Sequence, residues 1–126
     1  MVVLSNHSLG PAVEVLVSNE VAARMLLETA EAARPLAQGR WEHELVLWLE
    51  DRARKPGPTI DVGELAWSPD NFERQRRFVI DAIARAAVAS EHVRALTMWS
   101  RQIEAHPREH VSVGRRWRWT GLGATA

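Results

Sequence analysis

Between residues 12 and 35 the hydrophobic pattern changes from that of a strand to that of a helix. Residues 12–17 are rich in β-branched side chains and follow a Gly-Pro turn, which predicts a short strand. After Ser18 or Asn19, either of which suits an N-cap, apolar residues recur every three or four positions up to Pro35. This spacing predicts a first helix. Residues 1–9 are predicted either as an edge strand or as a loose end.

The segment from Trp41 to Glu50 fits two periodicities. Strict alternation places Trp41, His43, Leu45, Leu47 and Leu49 on one face. A helix would gather most of these apolar residues as well, but it would leave Leu47 on the side facing water. We therefore predict a strand here.

A strong turn signal, Lys-Pro-Gly-Pro, occupies residues 55–58 directly after that segment. Residues 59–67 are predicted as the next strand, with Gly63 at a bulge. The two strands would pair as a β-hairpin.

Two further helices and a last strand are predicted in the second half of the chain. The sequence Ser68-Pro69-Asp70 combines a hydroxyl N-cap, a proline in the first turn and an acidic residue near the positive end of the helix dipole, so a helix should begin here and reach about Ala89. Ser90 is predicted to cap a third helix, which Pro107 ends. Residues 109–120 alternate again between apolar and polar side chains, which predicts a final strand.

These elements predict an α+β fold in the order β-α-β-β-α-α-β. Three helices with apolar stripes need a common surface, so we expect a two-layer sandwich with a small antiparallel sheet of three or four strands and the helices packed on one face. The 126 residues are predicted to form a single domain, with residues 1–9 and 121–126 as its loose ends.

Composition narrows the classes of function. Sixteen basic residues balance sixteen acidic ones, which removes the long-range attraction to nucleic acid or anionic membranes that a charged protein would have. The absence of cysteine excludes disulfides, thiolate metal ligands and a cysteine nucleophile. No apolar stretch approaches the ~20 residues of a membrane helix, and no signal peptide is recognisable. We expect a bacterial-type cytoplasmic protein without membrane association.

Motifs for catalysis, metal binding and cofactor binding are weak. His106 and His110 have the spacing of two zinc ligands on a helix, but Pro107 lies between them. The chain has neither a Gly-x-Ser-x-Gly elbow nor a glycine loop that leads into a helix to bind phosphate. We therefore predict no catalytic residues, no metal and no cofactor, and favour a protein that is not an enzyme.

The predicted binding surface is the face of the sheet that the helices leave open. It would gather Trp48 with acidic and basic side chains, namely Glu42, Glu44, Glu50, Arg116 and Arg118. Tryptophan and arginine are enriched at binding hot spots. The alternative is that the glutamates and arginines only pair with one another across a solvated sheet.

The resulting hypothesis is a small non-enzymatic protein-binding module, which inhibits, neutralises or chaperones one protein partner or associates with further copies of itself. A second hypothesis is a nucleic-acid-binding regulator that uses Arg115, Arg116, Arg118 and the tryptophans beside them on the C-terminal strand, although the neutral net charge argues against it. A third is a small hydrolase or isomerase with a pocket around His43.

Overall fold

A computed structural model of the chain describes residues 1–108. In this part the protein is α+β, with a three-stranded mixed sheet and four helices. The elements are β1 (Val2–Ser5), β2 (Val15–Val17), α1 (Asn19–Ala33), α2 (Arg40–Arg54), β3 (Thr59–Asp61), α3 (Phe72–Ala87) and α4 (Val93–Glu104). Short 3-10 turns occupy Pro11–Val13, Arg34–Leu36 and Val62–Leu65. The order therefore differs from the predicted one, and there is one helix more.

The N-terminal segment forms the centre of the sheet, whose strand order is β2-β1-β3. Val3 lies opposite Leu16 in an antiparallel pair and opposite Thr59 in a parallel pair. The prediction of a fully antiparallel sheet is therefore wrong. Val2 and Leu4 are completely buried, which explains why a segment expected at the edge occupies the middle.

Helix α1 confirms the prediction at both ends. The Ser18 hydroxyl accepts a hydrogen bond of 3.1 Å from the Val21 N–H, as an N-cap should. The helix ends at Ala33, and Pro35 lies in the 3-10 turn that follows. The strand before it is shorter than predicted, because residues 11–13 form a 3-10 turn.

The prediction of a strand from Trp41 to Glu50 is wrong, because these residues lie in the long helix α2. The helix buries Leu45, Val46, Trp48 and Leu49, whereas Leu47 is 47% exposed. A single leucine exposed to water is ordinary for a soluble protein, so its position did not argue against a helix. The predicted hairpin is therefore also wrong.

Strand β3 ends at Asp61, six residues earlier than predicted. The Asp61 carboxylate accepts a hydrogen bond of 2.8 Å from the Gly63 N–H, and the Glu64 carboxylate accepts one of 2.9 Å from the Asp61 N–H. These bonds close a 3-10 turn, which takes the place of the extended ladder. Gly63 belongs to this turn and not to a bulge.

Helix α3 begins at Phe72, later than the Ser-Pro-Asp sequence predicted. The Ser68 carbonyl accepts a hydrogen bond of 3.1 Å from the Asn71 N–H, so residues 68–71 form a separate turn. The Gln75 side chain accepts a bond of 2.8 Å from the Ser68 N–H. The Gln75 side chain thus ties the first turn of α3 to residues 68–71.

Helix α4 also begins later than predicted, at Val93. The Ser90 hydroxyl accepts a hydrogen bond of 2.8 Å from the His92 N–H, so Ser90 organises the turn before the helix. The helix ends at Glu104, before Pro107 as expected.

The hydrophobic core joins strand and helix residues. Val2, Leu4 and Ile60 from the sheet are buried with residues from all four helices. Trp67 stacks on Trp41 with ring centroids 5.8 Å apart, at the side of the core near α2 and α3. No helix within residues 1–108 has the length and apolarity needed to cross a membrane.

Candidate functional site

Helix α2 displays the predicted binding residues differently from a strand. Trp48 is only 6% exposed, and the guanidinium of Arg52 lies 5.3 Å from the centre of its ring. The acidic residues have local roles: Glu42 accepts hydrogen bonds from the backbone at the helix start, Glu44 pairs with Arg40, and Glu50 pairs with Arg34. Because Trp48 and these glutamates lie on a helix, they do not form the predicted mixed-charge face of a sheet.

Arg116 and Arg118, together with the predicted strand 109–120, lie outside the described residues. Their part in binding stays a prediction. His43, proposed as the centre of a catalytic pocket, is exposed on α2.

The two outer edges of the sheet differ in how their backbone groups are covered. At β3, the Arg52 guanidinium donates hydrogen bonds of 2.8 Å to the Thr59 carbonyl and 2.7 Å to the Pro56 carbonyl. Glu64, which pairs with Arg52, accepts a bond from the Asp61 N–H. Side chains thus occupy the Thr59 carbonyl and the Asp61 N–H at the β3 edge, and a further strand that used these groups would have to displace them.

The β2 edge has no such cover from the part of the chain that the structure describes. The Val3 N–H donates to the Pro58 carbonyl at 2.9 Å, so the backbone groups of Val3 point toward β3. Val3 and Leu16 are therefore a non-hydrogen-bonded pair, and the N–H and C=O of Leu16 point away from the sheet. The Leu16 side chain is 63% exposed.

A groove of about 450 Å³ runs beside this edge, between β2 and the start of α4. Its apolar lining comes from both elements and from the first helix, and its rim carries both signs of charge. The lining residues are Val15, Leu16, Val17, Val21, Glu91, His92, Arg94, Ala95 and Met98. An extended segment lying along β2 would therefore meet backbone groups and apolar side chains at the same time.

A buried polar cluster fixes α4 beside the sheet. The Gln102 side chain donates hydrogen bonds of 2.9 Å to the Leu4 carbonyl and 2.6 Å to the Val13 carbonyl. The Asn6 side chain donates one of 3.0 Å to the main-chain carbonyl of Gln102, and His106 Nδ1 lies 3.3 Å from Asn6 Oδ1. All three side chains are buried, so the helix wall of the groove is held in place by bonds that water does not weaken.

Periodicity could not have identified the open edge, because which edge stays open depends on the strand order. One residue of the buried polar cluster, Gln102, could have been identified from the sequence. Gln102 is a polar residue in the buried stripe that Leu96, Trp99 and Ile103 form on α4. A buried glutamine needs backbone partners, so its place in the stripe indicates a bond to another element.

Ser5, His7 and Asp61 lie together at the end of β1 but do not form a catalytic triad. Asp61 Oδ1 accepts a hydrogen bond of 2.8 Å from the Ser5 hydroxyl and lies 3.3 Å from His7 Nδ1. In a catalytic triad the histidine lies between the serine and the aspartate, whereas here both residues contact the same carboxylate oxygen. Ser5 is also buried, so a substrate could not reach it.

Within residues 1–108, no group of three or more histidine, aspartate or glutamate side chains could hold a metal ion. Comparison of the chain with protein-family models, with curated proteins and with solved structures found no match.

Proposed function

We propose that the chain is a small protein-binding module that docks an extended segment of one partner protein along β2. The observation that carries this proposal is the open backbone of Leu16 beside an apolar groove, in a sheet whose opposite edge is covered by Arg52 and Glu64. An open edge next to an apolar groove is the arrangement that strand addition requires.

The partner segment would extend the sheet by one strand. Its backbone would accept a hydrogen bond from the Leu16 N–H and donate one to the Leu16 carbonyl. We infer that the helices cover the sheet face carrying Val2, Leu4 and Ile60, as in a two-layer sandwich, so docking uses the edge. Side chains at alternate positions of the partner would then enter the groove against Ala95 and Met98.

The chemistry of the groove indicates the type of partner. Apolar lining favours valine, leucine or isoleucine at alternate positions, and Glu91 and Arg94 at the rim favour a partner that carries both charges. Because the chain has no net charge, affinity should depend on apolar contact and backbone bonds. Binding should therefore weaken little as salt rises, unlike binding to nucleic acid.

Leu16→Pro tests the proposal, because proline removes the outward N–H while Val15 and Val17 keep their bonds to β1. The immobilised chain would capture partners from lysate of the source organism, and a captured protein would then be purified and titrated. We expect Leu16→Pro to weaken its binding about tenfold or more, since it loses one hydrogen bond and places a ring at the contact.

Leu47→Ala is the matched control, because Leu47 is exposed on α2, away from the groove. It should bind like the wild type. Unchanged affinity of a folded Leu16→Pro variant would refute docking at β2. A captured ligand that is nucleic acid, with an affinity that falls steeply as salt rises, would favour the regulator hypothesis instead.

A further inference from the structure

We propose that a second copy of this chain occupies the β2 edge when no other partner is bound, with the two copies related by a twofold axis at Leu16. This inference rests on the proposed function, because it uses the same edge. It goes further by naming the occupant and its register.

The sequence of β2 is symmetric about its middle residue. Val15, Leu16 and Val17 read alike in both directions, so an antiparallel second copy would place Leu16 opposite Leu16 and each Val15 opposite a Val17. Since the Leu16 N–H and C=O point outward, the two leucines would exchange both hydrogen bonds. Such a contact uses the same patch on both copies and closes after two chains.

The residues flanking β2 extend the same register. Opposite each Glu14 would lie Ser18 of the second copy. The Glu14 N–H and the Ser18 carbonyl are already bonded within the chain, to Pro11 and Ala22, so the Ser18 N–H and the Glu14 carbonyl are the groups that could bond to a second copy. The Ser18 N–H of one copy would therefore donate to the Glu14 carbonyl of the other.

Charge also favours this pairing. Ser18 is the N-cap of α1, so the Glu14 carboxylate of one copy would lie near the positive end of a helix dipole in the other. The net charge is zero, so no long-range repulsion separates two copies.

The groove adds apolar area to the pairing. Val15 and Val17 are partly buried against the core, so paired valines of a second copy would project to the same side and extend toward Ala95 and Met98. Because β2 has only three residues, the contact is short, and a partner protein should displace the second copy.

A charge exchange at Leu16 tests this register in the full chain. With Leu16 opposite its own copy, Leu16→Asp or Leu16→Lys would place two like charges about 5 Å apart and prevent pairing. An equal mixture of the two variants would instead place opposite charges together. Sedimentation velocity between about 1 and about 500 µM should show dimers for the wild type and for the mixture, but monomers for each variant alone.

Hydrogen exchange of the wild type provides a second readout that needs no variant. The Leu16 amide should become at least about tenfold better protected across that concentration range, while the Val3 amide, already bonded to Pro58, should not change. Leu47→Asp is the control, because Leu47 is exposed outside the groove. It should dimerise like the wild type.

A wild type that stays monomeric at every concentration would overturn the inference, as would a mixture that fails to dimerise while the wild type does. A monomeric chain that still binds a partner protein through Leu16 would leave the proposed function intact. A dimer with the predicted charge response, in a chain that captures no partner, would support the inference and count against the proposed function.

Discussion

The side chain of Asn6 donates a hydrogen bond of 3.0 Å to the main-chain carbonyl of Gln102, 96 residues later in the chain. Asn6 is completely buried and also accepts a bond of 3.1 Å from the Ser8 N–H. One amide thus shapes the loop after β1 and ties it to the last turn of α4. This makes Asn6 a structural residue whose loss leaves several polar groups without partners.

We expect Asn6→Ala to lower the free energy of unfolding by about 2–4 kcal/mol, because the Gln102 carbonyl and the Ser8 N–H lose their partner. Urea denaturation followed by circular dichroism would measure the change. Asn71→Ala is the control: Asn71 is exposed and its side chain makes no capping bond, so the change should stay within about 0.5 kcal/mol. A loss below about 1 kcal/mol for Asn6→Ala would contradict this account.

Trp48→Ala should lower the stability of the fold. The indole is buried in the core, so its removal should cost about 3–5 kcal/mol of unfolding free energy. Leu47→Ala, one residue away on the exposed side of α2, should cost less than about 1 kcal/mol. Thermal and urea unfolding would compare the two. Equal stability of both variants would show that Trp48 does not belong to the core.

Arg52→Ala should destabilise the end of α2 and the β3 edge. The variant loses two hydrogen bonds to the carbonyls of Pro56 and Thr59, so we expect a cost of about 2 kcal/mol. Arg54→Ala is a close control, because Arg54 is largely exposed and its ion pair within residues 1–108, with Asp51, is long at 3.6 Å. Its cost should be within about 0.5 kcal/mol. If both arginines gave the same result in urea denaturation, the cover of the β3 edge would not depend on Arg52.

Ser18→Ala should lower the unfolding free energy by about 1 kcal/mol, because the Val21 N–H loses its cap. Ser18→Gly should cost only a few tenths of that, since glycine also suits this position. Denaturant unfolding of both variants would separate the effect of the cap from a general effect of substitution. A greater loss with glycine than with alanine would contradict the capping role.

Sequence reasoning succeeded where several local signals agreed. Helix α1 has a hydroxyl N-cap, a regular apolar stripe and a proline after its end, and it was predicted with both limits nearly correct. At Trp41–Glu50 the signals conflicted, because tryptophans and leucines satisfy a period of two as well as a helical period. Leu47 decided the prediction wrongly, since a helix tolerates one exposed leucine.

The candidate site was harder to predict than the helices because it depends on contacts between distant segments. The open edge at Leu16 exists because β1 pairs with β2 on one side and with β3 on the other. The covered edge depends on Arg52 reaching Thr59 from another element. No local pattern encodes which strand lies at the edge, so the open edge at Leu16 could not be predicted from the sequence.

The central position of β1 also constrains how the chain folds. The Ser5 hydroxyl donates a hydrogen bond to Asp61, 56 residues later, and the Leu4 carbonyl accepts one from the side chain of Gln102, 98 residues later. β2 follows β1 closely in the sequence, whereas β3 follows only after two helices, and contacts between such distant segments form slowly. Pairing of β1 with β3 completes the sheet, so we expect this parallel contact to be the slow step in forming the sheet.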